Sequence, residues 1–403
     1  MTENKTIAFL QKEQCTGCML CGDCCPKAAI SFYEDSEGFK YPKVDEATCI
    51  SCGICVKNCP ALSPLKNDSA ENSFAVFAAD ESKREAGSSG GVFGLLAEEV
   101  LNKSGRVWGA AFDNQIHLVH TKADNADELK PLLKSKYIQS DLRGVYRQIK
   151  QDLREGRYTL FCGTPCQVNA LKNFVGNKRE NLILVDFVCH GVPSQSLFDK
   201  TIQWYEKKCG KKVEWFQFRY KSADVKHPQS YAIKHTDGNK IRLGLHYQFP
   251  YYFGFQKYIT LRPSCYQCKW ACSERAGDIT LGDYWGIEKY TSELNAKEGV
   301  SMILCNTDFG KSLFQQIVNS GKVASVALPI QCAINENGCL KNPSKEKAER
   351  KLFFQHLQEW DFDKVVKVHL TPKKKWIFDL YYGMPKGLRN VVRKLMDKRM
   401  KYE

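Results

Sequence analysis

Two short stretches constrain this chain more than anything else in it. "CTGCMLCGDCCPKAAI" (Cys15–Ile30) and "CISCGICVKNCPALSP" (Cys49–Pro64) together hold nine of its nineteen cysteines. They read Cys15-x2-Cys18-x2-Cys21-x3-Cys25-Pro26 and Cys49-x2-Cys52-x2-Cys55-x3-Cys59-Pro60, the same pattern twice without a gap. Gaps of two residues let one tight loop set three sulfurs around a common centre, and soft thiolates suit iron–sulfur chemistry. Zinc sites would show Cys-x2-Cys pairs, two to an ion, rather than triplets with a distant Cys-Pro. A disulfide frame belongs to oxidising compartments. The start, "MTENKTIAFL", does not read as a secretory signal, and no apolar run approaches the ~18 residues of a membrane span. The expected location is therefore cytoplasmic, where clustered thiols bind metal or do redox work.

Residues 7–62 resemble a bacterial-type ferredoxin with two [4Fe-4S] clusters. In that pattern the fourth cysteine of each motif serves the other cluster. The resemblance thus gives Cys15, Cys18, Cys21 and Cys59 to one cluster and Cys49, Cys52, Cys55 and Cys25 to the second, leaving Cys24 spare. It implies one-electron transport and names neither donor nor acceptor.

Residues 63–73 read as a polar linker, and from Phe74 the texture changes. "FAVFAA", "GRVWGAAF", "YTLFC" and "NLILVDFVC" read as strands. "GVFGLLAEEVLNK", "QVNALKNFV" and "SLFDKTIQWYEKK" read as helices, so an α/β domain is expected. "YAIKHTDGNKIRL" reads as a hairpin turning at Asp237-Gly238. The expected divisions are a ferredoxin-like α+β domain (1–62), a flavin part (74–155), a part with a third iron–sulfur site (156–345) and a basic helical tail (346–403).

Four stretches combine into a second resemblance: "GSSGGVFGLLAEEVL", "FCGTPCQVNAL", "VCHGVPS" and "CYQCKWACSERAGDITLGDYWG", with "KSKYIQSDL" at 134–142. Together they look like the coenzyme F-420 hydrogenase/dehydrogenase β-subunit family, over about Phe74–Asn342. The resemblance implies FAD and a further [4Fe-4S] cluster, with Cys166, Cys189, Cys265 and Cys268 as favoured ligands. Spacing alone leaves Cys162 and Cys272 open as replacements, and four thiolates also satisfy zinc. Gly87, Ser88, Ser89, Gly90 and Gly91 are expected between a strand and a helix, where small residues admit a phosphate to backbone N–H groups. The resemblance makes that phosphate part of FAD; an ordinary turn with a Ser cap is the other reading. Lys136 and Tyr137 are candidates for phosphate or ring. His190 is a candidate proton donor near the flavin, or a hydrogen-bond partner of its own loop backbone. Asp278, Asp283 and Trp285 suit a cap or a cofactor hydroxyl, and Arg219 and Lys221 an anionic substrate.

The net charge of +14 is uneven: ten Lys/Arg face three acids between Thr371 and Glu403, which is half of it. The rest is only mildly basic and makes no case for nucleic acid. Leu388, Val391, Val392, Leu395 and Met396 recur at helical spacing among Arg389, Arg393, Lys394 and Lys398, with Trp376, Tyr381 and Tyr382 upstream. Such a helix suits a peripheral contact with the inner membrane face, or docking on the body or a partner. The expected function is an oxidoreductase coupling hydride chemistry at a flavin to one-electron transfer through clusters. Its partner is a redox protein or a hydride-donating small molecule. A non-enzymatic electron-transfer subunit is the alternative. Resemblance to bacterial members also suggests cell-surface polysaccharide synthesis.

Overall fold

The computed structural model describes residues 5–176, 179–221, 229–238, 240–295, 298–384 and 388. The ferredoxin unit comes first: α1 (Leu20–Cys24), β1 (Ile30–Glu34), β2 (Lys40–Val44) and α2 (Ile54–Asn58), with β1 and β2 antiparallel. Each cysteine triplet is curled by two left-handed residues at matching positions. These are Gly17 and Met19 in the first (φ +66° and +65°) and Ser51 and Gly53 in the second (φ +52° and +73°). The repeat seen in sequence is thus a repeat of backbone path, and Met19 and Ser51 hold it in a region that non-glycine residues rarely adopt.

The body opens with β3 (Asn72–Ala78), α3 (Glu81–Ala86), α4 (Val92–Leu101), β4 (Arg106–Phe112), β5 (Leu118–Ala123), α5 (Ala126–Leu129) and α6 (Val145–Arg154). It continues with β6 (Thr159–Cys162), α7 (Pro165–Val175), β7 (Leu182–Phe187) and α8 (Gln195–Cys209). Next come β8 (Val213–Phe218), β9 (Ser230–His235), β10 (Ile241–Leu245), α9 (Pro250–Gln256), β11 (Ile279–Asp283) and β12 (Ser301–Cys305). The last elements are α10 (Asp308–Asn319), β13 (Val323–Pro329), α11 (Ile330–Glu336), α12 (Glu349–Glu359), α13 (Phe362–His369) and α14 (Lys375–Gly383).

Eight strands form one sheet in the order β13-β3-β12-β11-β7-β6-β4-β5. Its centre, β11-β7-β6-β4, is parallel, and the outer pairings are antiparallel. Strands from both 74–155 and 156–345 share this sheet. The expected strands and helices fall where the patterns placed them, and β9–β10 is the expected hairpin. Loops after the parallel strands β6 and β7 emerge at one edge, where α/β sheets place ligand sites.

Three features differ from expectation. The glycine loop follows a helix rather than a strand, because Asp80 caps α3 by accepting from the Ser82 and Lys83 N–H groups. The polar stretch after the ferredoxin is fastened down: Leu65 N donates to Asn169 Oδ1, and Asn67 N to the Arg275 carbonyl. Residues 346–370 belong to the body, since α12 and α13 bury Phe353, Phe354, Val365 and Val366 in the same core as Phe198 and Phe218. Of the expected tail beyond residue 370, only 371–384, which include α14, and Leu388 lie within the described residues. Val391, Val392, Leu395, Met396 and the cations around them lie outside.

Candidate redox site

Two hollows open in the ferredoxin unit. One is lined by Cys15, Cys18, Cys21 and Cys59 with Pro60, the other by Cys25, Cys49, Cys52 and Cys55 with Pro26. The fourth cysteine crosses over in both directions, because each Cys-Pro ends the short helix of one motif beside the triplet of the other. Amide N–H groups point at sulfur, Ala29 to Cys25 at 3.3 Å and Ser51 to Cys49 at 3.5 Å. Such bonds stabilise thiolate charge and tune a cluster. Cys24 stands outside both sets; burial pushes its thiol up to about 12.

A third group gathers at the sheet edge. Cys166 opens α7 after β6, Cys189 follows β7, Cys265 lies within a short 3-10 helix (Pro263–Gln267), and Cys268 caps its end. Burial, then Cys265, Cys166 and Cys268, raises the Cys189 thiol well above its ordinary range. Burial and Cys268 likewise push Cys265 up to about 12. Gly191, at φ +109°, packs so near that a Cβ there would stand 2.9 Å from the Cys265 Cβ. Gly191 N also donates to Cys189 Sγ at 3.4 Å. Cys162 is elsewhere, among Asp186, Lys136 and His120. Cys272 neighbours Cys268 but donates to the Lys269 and Glu274 carbonyls.

All three sets are fully supplied with soft donors and fit [4Fe-4S] clusters. Among the described residues no three His, Cys, Asp or Glu side chains converge as ligands of a single ion do. The ferredoxin thiols instead line the two hollows. Raised thiol pKa values mean that metal would displace protons on binding.

The groups are neighbours. Burial raises Cys18, and Cys59 and then Cys166 of the third group add to it. The ferredoxin is also locked to the body. Asp23 accepts from Gly144 N (2.7 Å) and Tyr146 N (3.0 Å) at the start of α6, where the helix dipole favours a carboxylate. Tyr146 Oη donates to the Cys18 carbonyl at 3.0 Å, and Arg147 to the carbonyls of Gly22, Asp23 and Cys25.

The flavin candidates divide. Gly90 is spent on the fold: its N–H donates to Ser301 Oγ, and a Cβ would stand 2.3 Å from the Val76 carbonyl. A Cβ on Gly87 would meet Gly91 Cα at 2.6 Å, and one on Gly91 the Lys83 carbonyl at 2.5 Å. These glycines permit backbone to approach backbone, so they are not an open phosphate cradle. Ser88 and Ser89 instead sit amid cations. Arg219 Nη2 donates to the Ser88 carbonyl (3.0 Å) and Lys221 Nζ to that of Ser89 (2.6 Å). Burial, then Lys134, Arg219 and Arg84, lowers Lys221 to about 8, so a negative charge here would be welcome. Lys221 Nζ also donates to the Arg84 and Glu298 carbonyls, so it is the excess positive charge of Lys134, Arg219 and Lys221 over Asp283 that suits the pyrophosphate of FAD.

Lys136 does not join this cluster. Its ammonium is held by the carbonyls of Pro131, Leu133 and Lys134, and burial lowers it to about 7. Tyr137 stacks on Phe255 at 4.7 Å as core. Asp283 pairs with Arg219, whose guanidinium also lies 5.9 Å from the half-exposed Trp285 ring. Asp278 is structural, pairing with Arg179 and accepting from Leu184 N. His190 links the halves: burial lowers its pKa, Asp283 opposes this, and Nδ1 lies 3.4 Å from Cys339 Sγ.

Sequence reading missed Asp23, Lys134, Arg262 and Arg275. Lys134 opens the stretch 134–142, and its positive φ (+67°) has no local signature. Arg262 and Arg275 flank the third cysteine group, and that proximity was the one available signal.

Thiols in this spacing, joined to a mixed-sheet body, define an iron–sulfur electron-transfer protein. Residues 14–62 match the 4Fe-4S dicluster domain, and residues 156–331 match the C terminus of the coenzyme F-420 hydrogenase/dehydrogenase beta subunit. The chain thus carries the C-terminal domain of the F-420 hydrogenase/dehydrogenase beta-subunit family behind an N-terminal 4Fe-4S dicluster domain. An uncharacterised ferredoxin of Methanocaldococcus jannaschii is 33% identical over 71 residues, 16% of this chain and 91% of that protein. A chain of the F-420-reducing [NiFe] hydrogenase complex from Methanosarcina barkeri, in a xenon derivative, aligns with TM-score 0.44 and 15% identity. That alignment covers 75% of this chain and 91% of the other. No helix among the described residues is long and apolar enough to cross a membrane.

Proposed function

We propose that this protein is an iron–sulfur flavoprotein oxidoreductase that exchanges paired electrons with a small hydride donor or acceptor and single electrons with a partner protein. When bound, a flavin handles two electrons together and a [4Fe-4S] cluster one at a time, so a chain holding both couples the two chemistries. Cys15, Cys18, Cys21 and Cys59 hold the middle cluster, Cys25, Cys49, Cys52 and Cys55 the outer one, and Cys166, Cys189, Cys265 and Cys268 the inner one. The packing of Cys18 and Cys166 into one core cluster supports the reading, because it brings the ferredoxin thiols beside the inner group.

Arg219, Lys221 and Lys134 bind the anionic part of FAD at Ser88–Ser89. Asp283 orients Arg219 and faces His190, so the cation site adjoins the inner thiols. His190 is placed to hold a proton at its ring. Cys52 is exposed between exposed Ile50 and Ile54, which suits the partner's docking face. The test is anaerobic purification and reconstitution, with iron, sulfide and flavin analysis followed by a donor screen. About twelve irons and one FAD per chain, with turnover of a hydride donor by the protein alone, support the reading. Full iron loading without flavin or turnover favours the electron-transfer subunit.

One observation favours a membrane-surface role. Helix α14 packs Phe378 and Tyr382 on Tyr247 and leaves Trp376 and Leu380 exposed, four residues apart on one face.

A further inference from the structure

Arg262 is wholly buried, and among the described residues its guanidinium meets no carboxylate. Nε donates to the Cys15 carbonyl (2.7 Å), Nη1 to Gln139 Oε1 (2.9 Å), and Nη2 to the Lys40 carbonyl (3.1 Å) and Cys15 Sγ (3.6 Å). Its faces are covered by Tyr41 at 4.3 Å and Phe39 at 5.4 Å. Of the other buried arginines, Arg219, Arg275 and Arg350 are each paired with an acid (Asp283, Asp186 and Glu37), while Arg84 donates to the Asn295 and Gly299 carbonyls. A buried cation needs a counter-charge. For Arg262 the acceptor able to carry one is the Cys15 sulfur. Gly17 makes room for this approach, since a Cβ there would stand 2.6 Å from Arg262 Nη1.

The backbone of the same residue serves the inner thiols. Arg262 N donates to the Val192 carbonyl just past Cys189, and its own carbonyl accepts from Cys265 N. The side chain thus belongs to one cysteine group and the main chain to the next.

We propose that Arg262 is a positioning residue whose fixed charge raises the reduction potential of the cluster on Cys15, Cys18, Cys21 and Cys59 above that of its ferredoxin neighbour. The inference rests on the ligand assignment above. Adding one electron makes a thiolate-bound cluster more negative, and a buried cation at one thiolate stabilises that reduced form. The outer hollow has no such cation among its lining residues; Lys5 and Lys27 there are exposed and water-screened. The middle cluster is therefore the resting place of the first electron.

The test compares full-length wild type, Arg262→Gln and Arg262→Lys by anaerobic redox titration with paramagnetic-resonance detection. The Cys166→Ser background removes the inner cluster and leaves the ferredoxin pair. In wild type the two signals should appear in sequence. Arg262→Gln, at wild-type iron content, should lower the first midpoint alone, so that the pair titrates more nearly together. Arg262→Lys keeps the charge but loses the planar fork, and should fall between. If Arg262→Gln fails to load iron, the lysine variant carries the test. A midpoint unchanged in the loaded variants, or a shift that disappears in the Cys166→Ser background, overturns the proposal. Failure of wild type to load the pair overturns the ligand assignment instead.

Discussion

Asp186 and Arg275 meet at 3.1 Å with both side chains completely buried. Asp186 also accepts from Thr280 Oγ1 (2.6 Å) and from the N–H groups of Ala276 and Gly277. Arg275 reaches the carbonyls of Trp270, Cys272 and Phe187. The pair therefore ties the loop after Cys268 to the strand that leads to Cys189. Removing one partner leaves a buried charge alone. Asp186→Asn should destabilise the protein by about 3–5 kcal/mol, read as a lower denaturation midpoint, and should lose inner-cluster iron first.

Ligand substitutions should separate the cysteines cleanly. Cys166→Ser and Cys265→Ser should each drop iron from about twelve to about eight per chain and spare the ferredoxin spectrum. Cys162→Ser and Cys272→Ser should leave iron content at wild type. Loss of iron in either of the latter would move the ligand set.

Flavin content should follow the cations rather than the glycines. Lys221→Gln and Lys134→Gln should lower FAD occupancy while iron stays constant. Gly90→Val drives a side chain into the Val76 carbonyl and should lower stability whether or not flavin is present. Full occupancy in the Lys134/Lys221 double variant would remove the pyrophosphate from this site.

His120 supplies a pH dependence. Its Nε2 bonds the Cys162 carbonyl, its ring lies along Phe161, and burial, against that bond and with Lys136 nearby, lowers it from 6.5 to about 4. The unfolded chain binds this proton first, so stability should fall as pH drops through about 6.5 toward 4, by up to about 1.4 kcal/mol per pH unit. His120→Gln should flatten that slope in anaerobic denaturation at pH 7, 6 and 5. An unaltered slope would place the titration elsewhere.

Anionic vesicles should sediment the full chain, less so as salt rises, and should not sediment a chain cut after Thr371. Trp376→Ala with Leu380→Ala should weaken binding in the uncut protein. Equal sedimentation of cut and uncut chains, or of neither, would leave α14 as a packing element.

The cysteine groups were legible because a repeated local spacing dictates a repeated local path, as Gly17/Ser51 and Met19/Gly53 show. Strands and helices with strong periods were legible for the same reason. The glycine loop misled because Gly-Ser-Ser-Gly-Gly is equally the signature of backbone touching backbone, and only the distant Val76 and Ser301 decide between them. Arg262 and Arg275 act on cysteines through the fold: Arg262 reaches Cys15, 247 positions away. No window along the chain contains such a pairing.

The grip of α6 on Asp23 and of Tyr146 on Cys18 has a kinetic meaning. A free ferredoxin delivers electrons by collision, so its rate follows concentration, ionic strength and viscosity. With the ferredoxin unit bonded to the body, the proposed passage between the middle and inner thiols would be set by a fixed gap rather than by collision. Solvent conditions that slow encounters should then be felt only at the Cys52 end, where the outside partner must arrive.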